Sequence, residues 1–226
     1  MSPICDNVLA NGFAVVPAVL MAAQSEALAA YLHPLAAACS APGTRDLVNK
    51  CPAIRELADS PAVRAMVEPL LGRQARLVRS IYFNKSPQNN WQVSWHQDLT
   101  IAVQARADLA GYGPWSIKEG IAHVQPPREV LDNMLTVRVH LDAADESNGA
   151  MWVVPGSHRS GRLSAKQVVD LANASERALC SVEAGGAMLF RPLLLHSSRK
   201  SSSERERRVI HLEFCGATLP APIDWA

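Results

Sequence analysis

The side chains best suited to chemistry in this chain lie on one short stretch, Trp91-Gln92-Val93-Ser94-Trp95-His96-Gln97-Asp98-Leu99-Thr100-Ile101. Side chains alternate faces along an extended strand, so His96 and Asp98 project together and Gln97 points away. An imidazole and a carboxylate on one face make two thirds of a facial triad. That triad, two histidines and one carboxylate, leaves coordination positions open on a non-haem Fe(II) for substrate and oxygen. The third ligand must be a distant histidine.

Spacing alone does not single out this pair. Seven His and ten Asp in 226 residues give roughly 0.3 chance His-x-Asp matches. His140-Leu141-Asp142 repeats the spacing, and His211-Leu212-Glu213 is its glutamate variant. The elements around each pair must decide between them.

Those elements change character along the chain. Gly12 to Val16 reads as a short strand ended by Pro17, and the Ala/Leu-rich run from about Val19 to Leu35 predicts a helix that contains His33 as a structural residue. Ser60-Pro61 is an N-cap and first-turn pair for a second helix running to Leu71, where Gly72 stops it. After Gly72, β-branched and aromatic runs alternate with turn signals. Strands are expected at Arg76–Asn84, Trp91–Asp98, Leu135–Asp142, Ala150–Val154, Ala187–Arg191 and Arg207–Phe214, with His196 closing a late strand and a short helix capped by Ser164. In the Leu135 strand, Val137, Val139 and Leu141 share one face, and Thr136, Arg138, His140 and Asp142 share the other. The segment 101–127, rich in glycine and proline, is expected as a loop, either a substrate lid or a plain surface loop, and carries His123. Helices first and antiparallel strands after, with no βαβ alternation, predict a mainly β fold with flanking helices, a closed or double-layered jelly roll. A single domain over 1–226 is expected, its helices at about 19–71 lying outside the barrel.

The totals narrow the function classes. Apolar content of 48%, charged content of 19% and a net charge of +1 are those of an ordinary globular protein and give no basic footprint for nucleic acid or an anionic membrane. Cys5, Cys39, Cys51, Cys180 and Cys215 are odd in number and lack a C-x-x-C, so neither a disulfide framework nor a thiolate zinc site is indicated. The opening Met1-Ser2-Pro3-Ile4-Cys5-Asp6 has no basic n-region of a secretory signal, and a cytoplasmic location is the expectation.

Several motifs in order then resemble one family. Trp95-His96-Gln97-Asp98, Ser147-Asn148-Gly149-Ala150-Met151 leading into Val153-Val154-Pro155-Gly156-Ser157-His158, and Leu195-His196-Ser197 followed by Arg207-Arg208 are similar to the phytanoyl-CoA dioxygenase family of Fe(II)- and 2-oxoglutarate-dependent oxygenases. Gly12-Phe13-Ala14-Val15-Val16-Pro17 looks like that family's opening. The resemblance implies a cupin-like double-stranded β-helix with His96, Asp98 and His196 as metal ligands and catalytic centre. It implies 2-oxoglutarate as cosubstrate, its far carboxylate taken by an arginine eleven residues beyond the distal histidine, which is Arg207. A guanidinium fork suits a carboxylate in a way that lysine does not. By analogy Thr136 and Arg138, on one face with His140, are candidates to touch 2-oxoglutarate or substrate, and Ser198 is a candidate donor to the cosubstrate carboxylate. His211 shares the face of Arg207 and could stand behind a ligand. A glutamine that some members place three residues before the first histidine is Val93 here.

The reaction so implied consumes O2 and 2-oxoglutarate, releases succinate and CO2, and oxidises a small organic molecule. Halogenating relatives lack the carboxylate ligand, so Asp98 favours hydroxylation or another oxidation. Two other readings use the same residues: a zinc hydrolase or isomerase, in which Arg207 lacks a purpose, and a non-catalytic jelly roll that binds a small ligand.

Overall fold

The computed structural model describes residues 2–37 and 43–226, so Cys39 lies outside the described residues. The chain begins with α1 (Pro3–Asn11), β1 (Phe13–Val16), α2 (Ala22–Ala37) and β2 (Gly43–Arg45), then three helices, α3 (Leu47–Lys50), α4 (Pro52–Asp59) and α5 (Pro61–Leu71). There follow β3 (Arg76–Lys85), β4 (Val93–His96), β5 (Ile101–Val103), β6 (Trp115–Lys118), β7 (Ile121–Val124) and α6 (Arg128–Asp132). The last part holds β8 (Met134–His140), β9 (Met151–Val153), α7 (Ala165–Ala174), β10 (Ala178–Cys180), β11 (Ala187–Phe190), β12 (His196–Ser198) and β13 (Arg207–Cys215).

Local signals explain the helix ends. Ser60 accepts a hydrogen bond from the Val63 N–H, Pro61 starts α5, and Gly72 ends it. Helix α1, which sequence patterning did not predict, has the same signals: Ser2 accepts from the Cys5 N–H, Pro3 starts the helix, and Gly12 closes it at φ 84°.

The strands form a mainly antiparallel β fold. A six-stranded sheet runs β1-β11-β8-β13-β3-β2, and a four-stranded sheet runs β10-β9-β12-β4. Phe190 of the large sheet meets His196 of the small one, ring centroids 5.0 Å apart, so the two sheets face each other as in a double-stranded β-helix. Among the described residues no ladder joins them into a closed barrel.

The large sheet divides its faces as the alternation predicts. Leu135, Val137, Val139, Ile210, Leu212 and Phe214 are buried in one cluster with Val8, Leu32, Ile54, Val63 and Val67 from the helices. The helices therefore cover the outer face. The opposite face turns Thr136, Arg138, His140, Arg207 and His211 inward, and all five are buried. Burying so many polar groups on one face needs partners or a ligand there.

Three expectations are corrected, the first being that His196 closes a strand, since it opens β12. The strand expected at Trp91–Asp98 is only Val93–His96, because the Asp98 N–H bonds the Pro192 carbonyl at 2.9 Å instead of continuing the ladder. Segment 101–127 is not an irregular loop: β5, β7 and β6 pair into a third antiparallel sheet. Ile101, Val103 and Val124 bury one side of it, and Glu119-Gly120 turns the hairpin with both residues at positive φ, 51° and 81°.

Candidate metal centre

Strands β4 and β12 are antiparallel neighbours, and their register sets His96 directly opposite His196. The ring centroids lie 4.1 Å apart. Asp98, two residues beyond β4, places Oδ1 3.6 Å from His96 Nε2 and Oδ2 3.7 Å from His196 Nε2. One ligand atom from each residue lies within 4.8 Å of the others. Among the described residues no other trio of His, Cys, Asp or Glu converges in this way.

The backbone selects the ring nitrogen each histidine offers. His96 Nδ1 lies 2.9 Å from the Ser94 carbonyl and His196 Nδ1 2.8 Å from the Leu194 carbonyl. A carbonyl only accepts, so the assigned tautomer carries its proton on Nδ1 and leaves both Nε2 lone pairs facing Asp98. Two lone pairs and a carboxylate, held too far apart for strong mutual hydrogen bonds, fit a divalent cation between them.

Electrostatics agree with that fit. Burial would raise the Asp98 carboxyl, yet His196, His96 and His211 hold it well below the usual carboxylate range. Burial, reinforced by His96, pushes His196 down to about 4, so it is neutral at pH 7. His96 is raised, because Asp98 outweighs the burial that would lower it. Asp98 and His196 thus already hold their ligating forms, and a cation would displace the proton that Asp98 favours on His96.

The trio opens on a cavity of about 100 Å³ whose walls include Phe83, Trp91, Arg138, Ser198, Arg207 and His211. Arg207 is 2% exposed, and its Nε and Nη1 have no partner. Burial, reinforced by Arg138, pushes its pKa down to about 9. An unpartnered buried guanidinium fits a ligand carboxylate. Arg208, on the opposite side of β13, is instead forked onto Asp142 at 2.8 and 2.6 Å.

The competing pairs therefore have other partners. Asp142 belongs to Arg208, and His140 is buried 3% exposed with neither ring nitrogen bonded. His211 Nε2 meets Glu213 Oε1 at 2.9 Å, and Glu213 also pairs with Arg79. Ser198 reaches the cavity, but its hydroxyl donates to the Gly149 carbonyl at 2.8 Å and accepts from Lys85 Nζ at 2.9 Å. Thr136 shares the inner face with its hydroxyl unpartnered, and it does not reach the cavity wall. His123 lies in a second cavity of about 210 Å³ with Arg45, Arg79 and Ile121.

Sequence reasoning missed two positioning residues. Gln97, pointing away from His96 and Asp98, donates to the Gly161 and Leu193 carbonyls at 2.8 and 2.7 Å and accepts from the Leu163 N–H at 2.9 Å. It fastens the end of β4 to the segment leading into β12. Lys85 is fully buried and donates to Ser198 and to the Arg199 carbonyl. Gly149 leaves room for it, since a Cβ there would stand 3.0 Å from Nζ and 2.6 Å from the Arg199 oxygen. The signal for Gln97 was its place between two ligands; Lys85 gave none.

Fold and site together define a class, the cupin-like double-stranded β-helix with a His-x-Asp and distal His constellation facing its interior. Within that class, the chain belongs to the phytanoyl-CoA dioxygenase (PhyH) family, whose sequence model matches residues 9–209. It is 25% identical over 191 residues to phytanoyl-CoA dioxygenase domain-containing protein 1 of Mus musculus, covering 77% of this chain and 57% of that protein. The Danio rerio protein of the same name is 25% identical over 190 residues, with the same coverage. The chain thus spans little more than half the length of these relatives. Among solved structures, EctD from S. alaskensis with bound Fe superposes at TM-score 0.75 with 18% identity, covering 98% of this chain and 80% of that one. The non-haem alpha-ketoglutarate-dependent carbocyclase SnoK from nogalamycin biosynthesis gives 0.74 and 17%, covering 96% and 85%. At those identities the superpositions speak to the fold.

Proposed function

We propose that this chain is a non-haem Fe(II)- and 2-oxoglutarate-dependent dioxygenase acting on a small organic molecule. The observation that carries the reading is the unpartnered Arg207 guanidinium, buried in the same cavity as His96, Asp98 and His196. A zinc hydrolase or a plain ligand-binding jelly roll leaves that cation unexplained. When bound, the metal and cosubstrate supply oxidation of a C–H bond by O2, with 2-oxoglutarate decarboxylated to succinate and CO2.

The chain's own residues do the rest. His96 and His196 hold the ion through Nε2, with Nδ1 tied to backbone so the rings cannot turn, and Asp98 supplies the anionic ligand. Arg207 receives the far carboxylate of the cosubstrate. Ser198 stands beside it, and Lys85 fixes its hydroxyl. Phe83, Trp91 and Met151 add apolar wall to the cavity. EctD has been crystallised with 2-oxoglutarate and 5-hydroxyectoine, which supports a small-molecule substrate for the same fold.

Substrate enters, on this reading, from the side of the β5-β7-β6 sheet. That sheet contributes Ala102, Ile121 and His123 to the second cavity, and Lys118 at its hairpin is near enough to feel the Asp98 charge, which supports reading it as a cover within a single domain spanning the chain. No helix among the described residues is long and apolar enough to cross a membrane. Cys5, Cys51, Cys180 and Cys215 are free thiols, which suits the proposed cytoplasmic location.

The test is succinate formation from 2-oxoglutarate by purified protein with Fe(II) in air. Slow uncoupled turnover that needs oxygen, and is lost in His196→Ala, is expected. Hydrolytic activity that persists without oxygen and follows added zinc contradicts the reading.

A further inference from the structure

The reading above gives Arg207 a partner and leaves a second buried cation without one. Arg138 is 7% exposed, lines the cavity of the metal trio, and has an unpartnered Nε. Among the described residues no carboxylate lies within ion-pair distance of it. Its contacts are the Phe83 ring, 5.5 Å from the guanidinium carbon to the centroid, and His211 Nδ1, 3.4 Å from Nη1. Neither neutralises a charge. An unpaired guanidinium is strongly disfavoured in a protein interior unless a ligand brings the opposite charge.

The register says which end of the cavity Arg138 serves. It faces His211 across β8 and β13. The His211 ring lies 6.1 Å from Phe190, which lies 5.0 Å from His196, and the Asp98 charge acts on Arg138. Arg138 therefore stands on the metal trio's side of the cavity, its charge still near enough to act on Arg207. Arg207 lies four residues farther along β13 from His211, roughly 13 Å by strand rise.

We propose that Arg138 receives the carboxylate at the keto end of the cosubstrate, so that the cavity meets a 2-oxo dicarboxylate with a guanidinium at each end. The assignment rests on the Fe(II)/2-oxoglutarate reading. A carboxylate brought to the same ion as Asp98 is repelled by it, and a cation beside both offsets that repulsion. The ligand class that satisfies both arginines is a 2-oxo dicarboxylic acid, and a 2-oxo monocarboxylate satisfies Arg138 alone.

Calorimetric titration of Mn(II)-loaded protein with 2-oxoglutarate and with 2-oxobutyrate, which lacks the far carboxylate, tests this. Arg138→Met is expected to weaken both acids by roughly 10- to 100-fold, the worth of a charged hydrogen bond. Arg207→Ala is expected to weaken 2-oxoglutarate alone. Mn(II) affinity should hold or rise in Arg138→Met, since a positive charge near the ligands is removed. Its ligand-free melting temperature should equal or exceed that of wild type, because an unpaired buried charge has been removed. Unchanged affinities in Arg138→Met, or a loss confined to 2-oxoglutarate, overturn the assignment, and a lowered melting temperature with unchanged affinities makes Arg138 a packing residue. Wild type that binds Mn(II) but not 2-oxoglutarate sinks the cosubstrate reading, and this one with it.

Discussion

At the scale of single residues, what separates one His-x-Asp pair from its copies is the company each carboxylate keeps. Asp142 is taken by Arg208 and Glu213 by Arg79, while Asp98 has only histidines. We therefore expect His96→Ala to abolish stoichiometric metal binding in equilibrium dialysis and His140→Ala to retain it; the reverse result would move the ligand set. The chain's spacing could not make this distinction, because the partners come from other strands. Gln97 shows the same limit: alternation says only that it points away, and its three hydrogen bonds lie with residues 64 to 96 positions distant. Gln97→Ala leaves buried backbone groups unpaired, so a loss of about 1–3 kcal/mol in urea unfolding is expected, together with weaker metal binding.

At the scale of elements, the large sheet works as a partition, with its outer face packed on helices and its inner face holding Arg138, Arg207 and His211. Leu212 is fully buried on the outer face, and Leu212→Ala should cost about 2–5 kcal/mol of stability while leaving the metal affinity of the folded protein intact. A loss of metal affinity in the folded variant would show that the faces are not independent. This division was legible, because Val137, Val139 and Leu141 alternate with Thr136, Arg138 and His140. So was α5, whose ends are written in Ser60-Pro61 and Gly72. Strands β2 and β10, three residues each, were not, since they exist only by pairing with β3 and β9. The sheet in 101–127 was hidden by its glycines and prolines, which mark the turns between very short strands.

At the scale of the whole molecule, the fold depends on charges buried between its layers, and pH reads them. Burial opposes ionisation of Glu213, but Arg79 and His211 outweigh it and hold the carboxyl below its ordinary 4.5. A carboxyl that is more acidic in the fold than in the unfolded chain stabilises the fold above its ordinary value. That contribution is lost as pH falls below about 4.5 and through the lower folded value. Urea midpoints should thus fall more steeply from pH 6 to pH 3 in wild type than in Glu213→Gln, and equal slopes would mean the Arg79–Glu213–His211 cluster contributes nothing through this carboxyl. Whether one cavity holds both a metal and 2-oxoglutarate is read by an anaerobic titration of apoprotein with Fe(II), then 2-oxoglutarate. The weak visible charge-transfer band of the chelate is expected in wild type and absent in Arg207→Ala at the same concentrations. Iron binding with no band on adding 2-oxoglutarate to wild type would mean that the cavity takes a metal but not this cosubstrate.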